Sequence, residues 1–224
     1  MLTKTCCSTL FFVCIAFWAQ DAVAPVPVEK EPLHHVVLKN ESIVVMHLVL
    51  PAGQRTLYHT HQHDRVAVNL SSTSITQQKL GEPEGAPSPT SPGTFSAIAL
   101  EGTEYTHRVH NMGTEPYDVI DVEILDRPHT PLAATAAPVA AENPSARIYN
   151  WPLAAGLTSE MHTHSRPYLI LATTDLTLKM TGADGQTLTQ EVKRGEFHWV
   201  DANVTHTLAN AGTTNGQIIE IELK

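Results

Sequence analysis

Two short runs, His59-Thr60-His61 and His162-Thr163-His164, place paired imidazoles two residues apart. On an extended strand, side chains at i and i+2 share one face, with Cβ atoms roughly 6–7 Å apart. Two imidazoles so placed can converge on one cation at roughly 2.0–2.1 Å. A third donor must then come from a neighbouring strand, and His107 and His206 are the candidates. Each half of the chain thus offers three neutral metal ligands: His59, His61 and His107, then His162, His164 and His206. An isolated H-x-H is most simply a polar strand face. Two copies, each with a further histidine and an asparagine four residues beyond it, read as ligands.

The copies belong to an internal repeat. At an offset of 103, Gly53, His59, Thr60 and His61 fall on Gly156, His162, Thr163 and His164. At an offset of 99, Thr106, His107, Asn111, Gly113 and Thr114 fall on Thr205, His206, Asn210, Gly212 and Thr213. Val119–Ile124 likewise falls on Ile218–Leu223, and the Gly/Pro-rich loop from Gly81 to Gly93 accounts for the change of offset. Asn111 and Asn210 each open an Asn-x-Gly and read as turn residues.

The elements that must hold these histidines are strands. Segments such as Ser42–Leu50 and Pro167–Thr173 are short, apolar and bounded by Gly, Pro or Asn, and Gln217–Leu223 alternates at period two. Many short strands punctuated by turns imply an all-β sandwich or barrel. The 224 residues, 42% of them hydrophobic, suffice for an ordinary core. The formal charge of −9 disfavours nucleic acid, since no basic stripe exists to displace counterions from phosphates.

Residues 1–24 read as a signal peptide. Lys4 precedes an apolar run, Leu10–Ala19, and Ala22-Val23-Ala24 has the small-residue pattern of a cleavage site. The run is shorter than the roughly 20 residues a membrane span needs, so no membrane association is expected after cleavage and the mature chain is periplasmic or secreted. Cleavage takes one residue of each sign, Lys4 and Asp21, leaving the charge at −9, and removes all three cysteines, Cys6, Cys7 and Cys14. Neither disulfides nor thiol chemistry then remain. Pro25, Pro27 and Pro32 make residues 25–32 an extended entry arm. A first domain spans residues 33–126, a Pro/Ala-rich linker 127–144, and a second domain 145–224.

The pattern resembles the cupin superfamily, specifically a two-domain bicupin. The first family motif runs Gly, five residues, His-x-His, three or four residues, Glu; Gly53 to His59-Thr60-His61 and Gly156 to His162-Thr163-His164 keep that spacing. The second ends in His, three residues, Asn; His107 to Asn111 and His206 to Asn210 keep it, and Gly195 stands eleven residues before His206. The resemblance implies two tandem jelly-roll β-barrels. It says little about the reaction, because the fold hosts dioxygenases, isomerases, lyases, decarboxylases and binding proteins. The chain departs from the motifs where the glutamate belongs, at Arg65 and Tyr168, and where Glu104 and Asn203 replace a glycine before the third histidine. Measured against the family, each site is three histidines with no anionic protein ligand.

Three neutral donors leave a divalent ion its full charge and open positions. Without a carboxylate, Fe(II), Cu, Ni and Zn are favoured over Mg, Ca and Mn; an extracytoplasmic setting raises copper and the resemblance raises iron, with up to two ions per chain. Arg65 and Tyr168, each six residues past the first histidine of its pair, are the candidate catalytic side chains. The guanidinium would attract an anionic substrate or pair with an acid. The phenol would donate a hydrogen bond or proton, or pack in the core.

His63 is expected at the rim. His34, His35, His47, His110, His129 and His198, without repeat partners in register, read as ordinary surface or partly buried residues. Tyr149, Trp151 and Trp199 read as core. The expected function is an extracytoplasmic oxidoreductase using O₂ or peroxide on a small organic or sugar-derived substrate. The alternatives are a lyase, isomerase or hydrolase with the ion as Lewis acid, and a non-catalytic metal or ligand binder. A monomer with internal pseudo-two-fold symmetry is expected, with a dimer as the other possibility.

Overall fold

The computed structural model describes residues 24–125 and 131–224; the leader up to residue 23 and His129 lie outside them. The first half contains β1 (Val26–Pro27), β2 (His34–Lys39), β3 (Ile43–Leu50), β4 (His59–His61), β5 (Arg65–Asn69), β6 (Ser74–Lys79), β7 (Ser88–Pro89), β8 (Phe95–Ile98), β9 (Tyr105–Asn111) and β10 (Tyr117–Ile124). The second contains β11 (Val139–Glu142), β12 (Ala146–Leu153), β13 (His162–His164), β14 (Tyr168–Ala172), β15 (Leu176–Gly182), β16 (Thr187–Val192), β17 (Phe197–Val200), β18 (Val204–Asn210) and β19 (Gly216–Leu223). Each half folds into two sheets that close as a barrel. The orders are β1-β4-β9-β6-β7 and β2-β3-β10-β5-β8 in barrel 1, then β11-β12-β19-β14-β17 and β13-β18-β15-β16 in barrel 2.

The two five-stranded sheets that contain β10 and β19 pack on each other, and period two explains how. Ile120, Val122 and Ile124 face outward from barrel 1 into a core shared with Ile219, Ile221 and Leu223 of barrel 2, joined by Ile43, Val45, Ile148, Leu169 and others. The alternate residues of the same strands, Val119, Asp121 and Glu123 or Ile218, Glu220 and Glu222, face their own barrel interior. Polar ties lock the seam. Ser145 Oγ donates to Asp64 Oδ2 at 2.8 Å, and Arg194 Nη1 donates to the Leu70 carbonyl at 2.7 Å.

Two segments hold more structure than their composition suggests. Val139–Glu142, within the Pro/Ala-rich stretch, pairs with β12 as an edge strand. In the entry arm, Val26 and Pro27 pair in parallel with His59 and Thr60. A 3₁₀ turn follows at Val28–Lys30, closed by Glu31 N–H donating to the Val28 carbonyl at 3.1 Å. Proline forbids only the donors it lacks, so one such turn fits after Pro27.

The repeat carries its turns with it. Gly53 and Gly156 adopt φ of 71° and 77°, and their N–H groups donate to Asn111 and Asn210 carbonyls, each at 2.9 Å. Before the third histidine, Asn203 is left-handed (φ 65°), while in barrel 1 that conformation shifts from Glu104 to Glu101 and Gly102. Asn tolerates this region; in barrel 1 Gly102 shares the turn with Glu101.

One difference between the barrels sets access to the interior. In barrel 2, β16 pairs with β15 over six positions. In barrel 1 the corresponding loop contains Pro83, Pro87, Pro89 and Pro92, and only Ser88 and Pro89 pair with β6. Proline cannot donate to the ladder, so the sheet edge stops short.

The seam is expected to carry much of the stability. Ile221→Ala, in the shared core at 0% exposure, should lower the unfolding free energy by about 2–5 kcal/mol in chemical denaturation, whereas Val36→Ala on the exposed face of β2 should change it by under about 0.5 kcal/mol.

Candidate functional site

Strand register assembles the histidines. His59 lies opposite His107 across the β4–β9 pair, and His162 lies opposite His206 across β13–β18. His61 and His164 follow two residues along on the same face. The ring centroids in barrel 1 are 4.6–5.2 Å apart and in barrel 2 they are 4.5–5.4 Å apart. All six rings are buried, and within each trio one nitrogen per ring lies within 4.8 Å of the others. The structure therefore brings together both predicted trios.

Hydrogen bonds set the tautomers. His59 Nδ1–H donates to the Leu57 carbonyl at 3.0 Å and His162 Nδ1–H to the Glu160 carbonyl at 2.9 Å. A carbonyl only accepts, so each neutral ring keeps its lone pair on Nε2, turned toward the other rings. His61 Nδ1 meets Glu123 Oε1 at 2.9 Å, and His61 Nε2 lies 3.2 Å from His107 Nε2. Burial first, and then neighbouring imidazoles and Arg65, hold His59 at about 3 and His107 at about 2, and push His61 down as well. These rings are neutral, the state that binds metal.

Barrel 2 adds a carboxylate. Glu220 on β19 joins His162, His164 and His206 in one buried cluster, its oxygens 3.0, 3.2 and 3.1 Å from the three Nε2 atoms. This corrects, for the second half, the expectation of a site with no anionic ligand. The family position for glutamate holds Tyr168, but a different strand delivers an acid to the same cluster. Glu222 stands behind His164, 3.4 Å from its Nδ1. Burial pushes the His164 ring down, but Glu220 and Glu222 more than offset it and raise the ring to about 9. Burial alone would raise Glu220, yet the three imidazoles hold it well below the usual carboxylate range.

A transition-metal cation fits both donor sets. Neutral His162 would aim its lone pair at the Glu220 carboxylate, which is repulsive unless a cation lies between them. The Nε2 atoms of His164 and His206 approach Glu220 without hydrogen-bond alignment, and His59 Nε2 is buried without a partner. A buried polar atom left unpaired costs about 1–3 kcal/mol. Several such atoms facing one point are the donor set that a shared cation would satisfy.

The surroundings of the two sites differ. In barrel 1 a cavity of about 230 Å³ borders His107, Arg65 and Asp121. The matching space in barrel 2 is about 20 Å³. Register shows why: Trp151 stands where barrel 1 has Leu48, and Ile170 where it has Ala67. Trp151 stacks on His162 with centroids 4.6 Å apart and donates to Glu220 Oε2 at 2.7 Å. A further hollow of about 290 Å³ under residues 132–137 reaches His162 and Glu222 but not His164, His206 or Glu220.

Of the two candidate catalytic residues, Arg65 is 5% exposed and donates from Nη1 to Asp121 Oδ2 at 2.5 Å. It is an interior ion pair, with the acid on β10 that matches Glu220. Tyr168 stacks on His164 at 3.9 Å, its buried hydroxyl without a partner. His63 is half-buried and stands outside both clusters. Tyr149 and Trp151 are core residues, and Trp199 packs against the shared core.

His34, read as ordinary, packs against His59 at 4.6 Å. It is held by Glu31, whose carboxylate takes His34 Nδ1 at 2.7 Å and the backbone N–H groups of Leu33, His34 and Leu57. Nothing in the repeat marks this pair. Glu220 was visible in principle: Glu220 and Glu222 alternate with isoleucines, as Asp121 and Glu123 alternate with Ile120, Val122 and Ile124.

No sequence-family profile and no curated protein matches the chain. Solved structures do. AerE from Microcystis aeruginosa aligns over 87% of this chain and 98% of its own, with a TM-score of 0.58 at 11% identity. A cupin 2 conserved barrel domain protein from Leptotrichia buccalis aligns over 84% and 87%, with 0.52 at 15%. The chain has the fold of a bicupin. Salicylate 1,2-dioxygenase from Pseudaminobacter salicylatoxidans also aligns with this bicupin, over 80% of the chain and 70% of the enzyme, at a TM-score of 0.55 and 10% identity.

Elemental analysis of metal-supplemented protein should give two ions per chain, falling to one in His59→Ala/His61→Ala. As pH is lowered below neutrality the barrel 2 site should lose affinity first, because protons compete for His164, raised to about 9. The barrel 1 rings, held at about 3 and about 2 for His59 and His107, should keep their affinity to well below about pH 6. In chelator-treated protein, His164 is raised from 6.5 to about 9. Its contribution to stability is therefore full below about pH 6.5 and lost as pH rises through 9. Thermal melts should show this alkaline loss in the stripped protein only, because a bound ion takes the place of the protons.

Proposed function

We propose that this bicupin is an extracytoplasmic metal-dependent oxidoreductase that uses O₂ or peroxide on a small organic or sugar-derived molecule, with barrel 1 as its reactive centre. The observation that carries this reading is the pairing of the His59, His61 and His107 trio with an adjoining cavity of about 230 Å³. A cavity of about 150 Å³ takes benzene, so this one suits a single substituted ring. Fe(II) or copper suits the three imidazoles, and Zn or Ni would bind them too. Such an ion, when bound, supplies electron transfer and Lewis acidity at its open positions.

The chain's own residues do the rest. Glu123 and the Leu57 carbonyl orient the rings of His61 and His59. Glu31 and His34 brace His59 from behind. Leu48, Ile75, Phe95 and Val109 give the cavity apolar walls that exclude water from a bound ring. Barrel 2, with four protein donors and its interior filled by Trp151 and Ile170, is the structural site. A related fold is found in salicylate 1,2-dioxygenase in complex with gentisate. Lys4, the apolar run after it and the small-residue pattern at Ala22-Val23-Ala24 support export, and the mutually buried sheets support a monomer.

The test is metal analysis and electron paramagnetic resonance of native protein, followed by oxygen-uptake screening of one-ring organic compounds. A redox-active ion is expected, with uptake lost anaerobically and reduced at least about 100-fold in His107→Ala. Turnover that persists with zinc and without oxygen would establish the Lewis-acid alternative instead.

A further inference from the structure

The two barrels place different residues at two equivalent positions, and the difference concerns the ion. Where barrel 2 has Tyr168 on β14 and Glu220 on β19, barrel 1 has Arg65 on β5 and Asp121 on β10. The register is the same: Asp121 pairs with Ala67, two residues beyond Arg65, and Glu220 pairs with Ile170, two beyond Tyr168. Glu220 reaches all three histidines of its barrel. Asp121 is one methylene shorter and is bonded to the Arg65 guanidinium at 2.5 Å, both side chains buried. Among the described residues, no carboxylate joins the cluster of His59, His61 and His107.

We propose that Arg65 is a positioning residue that holds Asp121 off the ion of barrel 1, reserving its open coordination for a small anionic ligand from solution. The inference rests on barrel 1 holding an ion, as in the proposed function, and adds the ligand class and the residue that enforces it.

Charge balance gives the ligand's sign. In barrel 2 a divalent ion would face Glu220 and Glu222, two carboxylates against two positive charges. In barrel 1 Arg65 and Asp121 cancel one another. Glu31 is engaged by His34 and three backbone N–H groups and touches no ligand ring, and Glu123, behind His61, supplies at most one negative charge. At least one positive charge is left in an interior where an uncompensated charge is strongly disfavoured. A monoanion entering by the cavity beside His107 cancels it. The pair also keeps one open group on each side, Arg65 Nε–H and Asp121 Oδ1, both buried without partners in residues that line the cavity. They are a donor and an acceptor available to polar substituents of the same ligand.

Cobalt(II) and azide test this. In full-length protein loaded with two equivalents of Co²⁺, azide titration should alter the d–d absorption of one ion. The response should disappear in His107→Ala, which assigns it to barrel 1. The double variant Arg65→Tyr/Asp121→Glu rebuilds the barrel 2 arrangement. It should keep its cobalt, shift toward the spectrum of the barrel 2 ion, and bind azide at least tenfold more weakly. Arg65→Met, neutral and of similar length, releases Asp121 with less repacking and should weaken azide in the same direction. Unchanged azide affinity in both variants, with cobalt retained, overturns the role of Arg65 and leaves the metal site standing. If barrel 1 of the wild type takes up no cobalt, the proposed function falls, and this inference with it.

Discussion

Imidazole lone pairs converging in an apolar interior are the constraint on which both barrels are organised. Each trio is buried, and its inward nitrogens have no hydrogen-bonding solution among themselves that satisfies every member. Desolvation keeps the barrel 1 rings neutral, so their electrostatic demand is for a cation they can share. The fold meets the geometric side of that demand through strand register. His59 sits opposite His107 and His162 opposite His206, and the period of two brings the remaining ring to the same face.

The same constraint was met in two ways. Barrel 2 supplies a carboxylate from its last strand and fills the surrounding space with Trp151, Tyr168 and Ile170. Barrel 1 diverts the matching acid into an ion pair with Arg65 and leaves a cavity beside His107. Access follows from backbone chemistry. Four prolines shorten the edge strand of barrel 1, while the matching strand of barrel 2 pairs along its length. The duplicated unit thus presents one cluster of four donors in a filled interior and one cluster of three donors beside a cavity, on a shared scaffold. The shared core between Ile120, Val122, Ile124 and Ile219, Ile221, Leu223 ties the two centres into one body.

Much of this was legible in the chain. Short alternating segments gave an all-β architecture, the duplicated H-x-H runs gave the strands that carry ligands, and the change of repeat offset located the loop that opens barrel 1. Other features had no signature. The arm at residues 25–32 was read as merely extended, yet it pairs with the first ligand strand, and Glu31 and His34 brace His59 without any repeat partner to mark them. The Pro/Ala-rich stretch concealed an edge strand at Val139–Glu142, because alanine and valine in an edge position need no strict alternation.

The sequence by itself determined which residue types could ligate a cation, how they pair within a strand, and that the whole unit occurs twice. Those are local matters of side-chain chemistry and of a spacing that equals the strand period. Tertiary structure alone decided which acid joins a histidine cluster. Glu220 lies more than a dozen residues from His206 in the chain and meets its trio only across the barrel interior, while Asp121, as far from His107, meets Arg65 instead. It also decided that the guanidinium of Arg65 faces Asp121 instead of solvent, and that one barrel is hollow and the other full. Packing of side chains from distant strands controls these outcomes, and no spacing within a single segment encodes it.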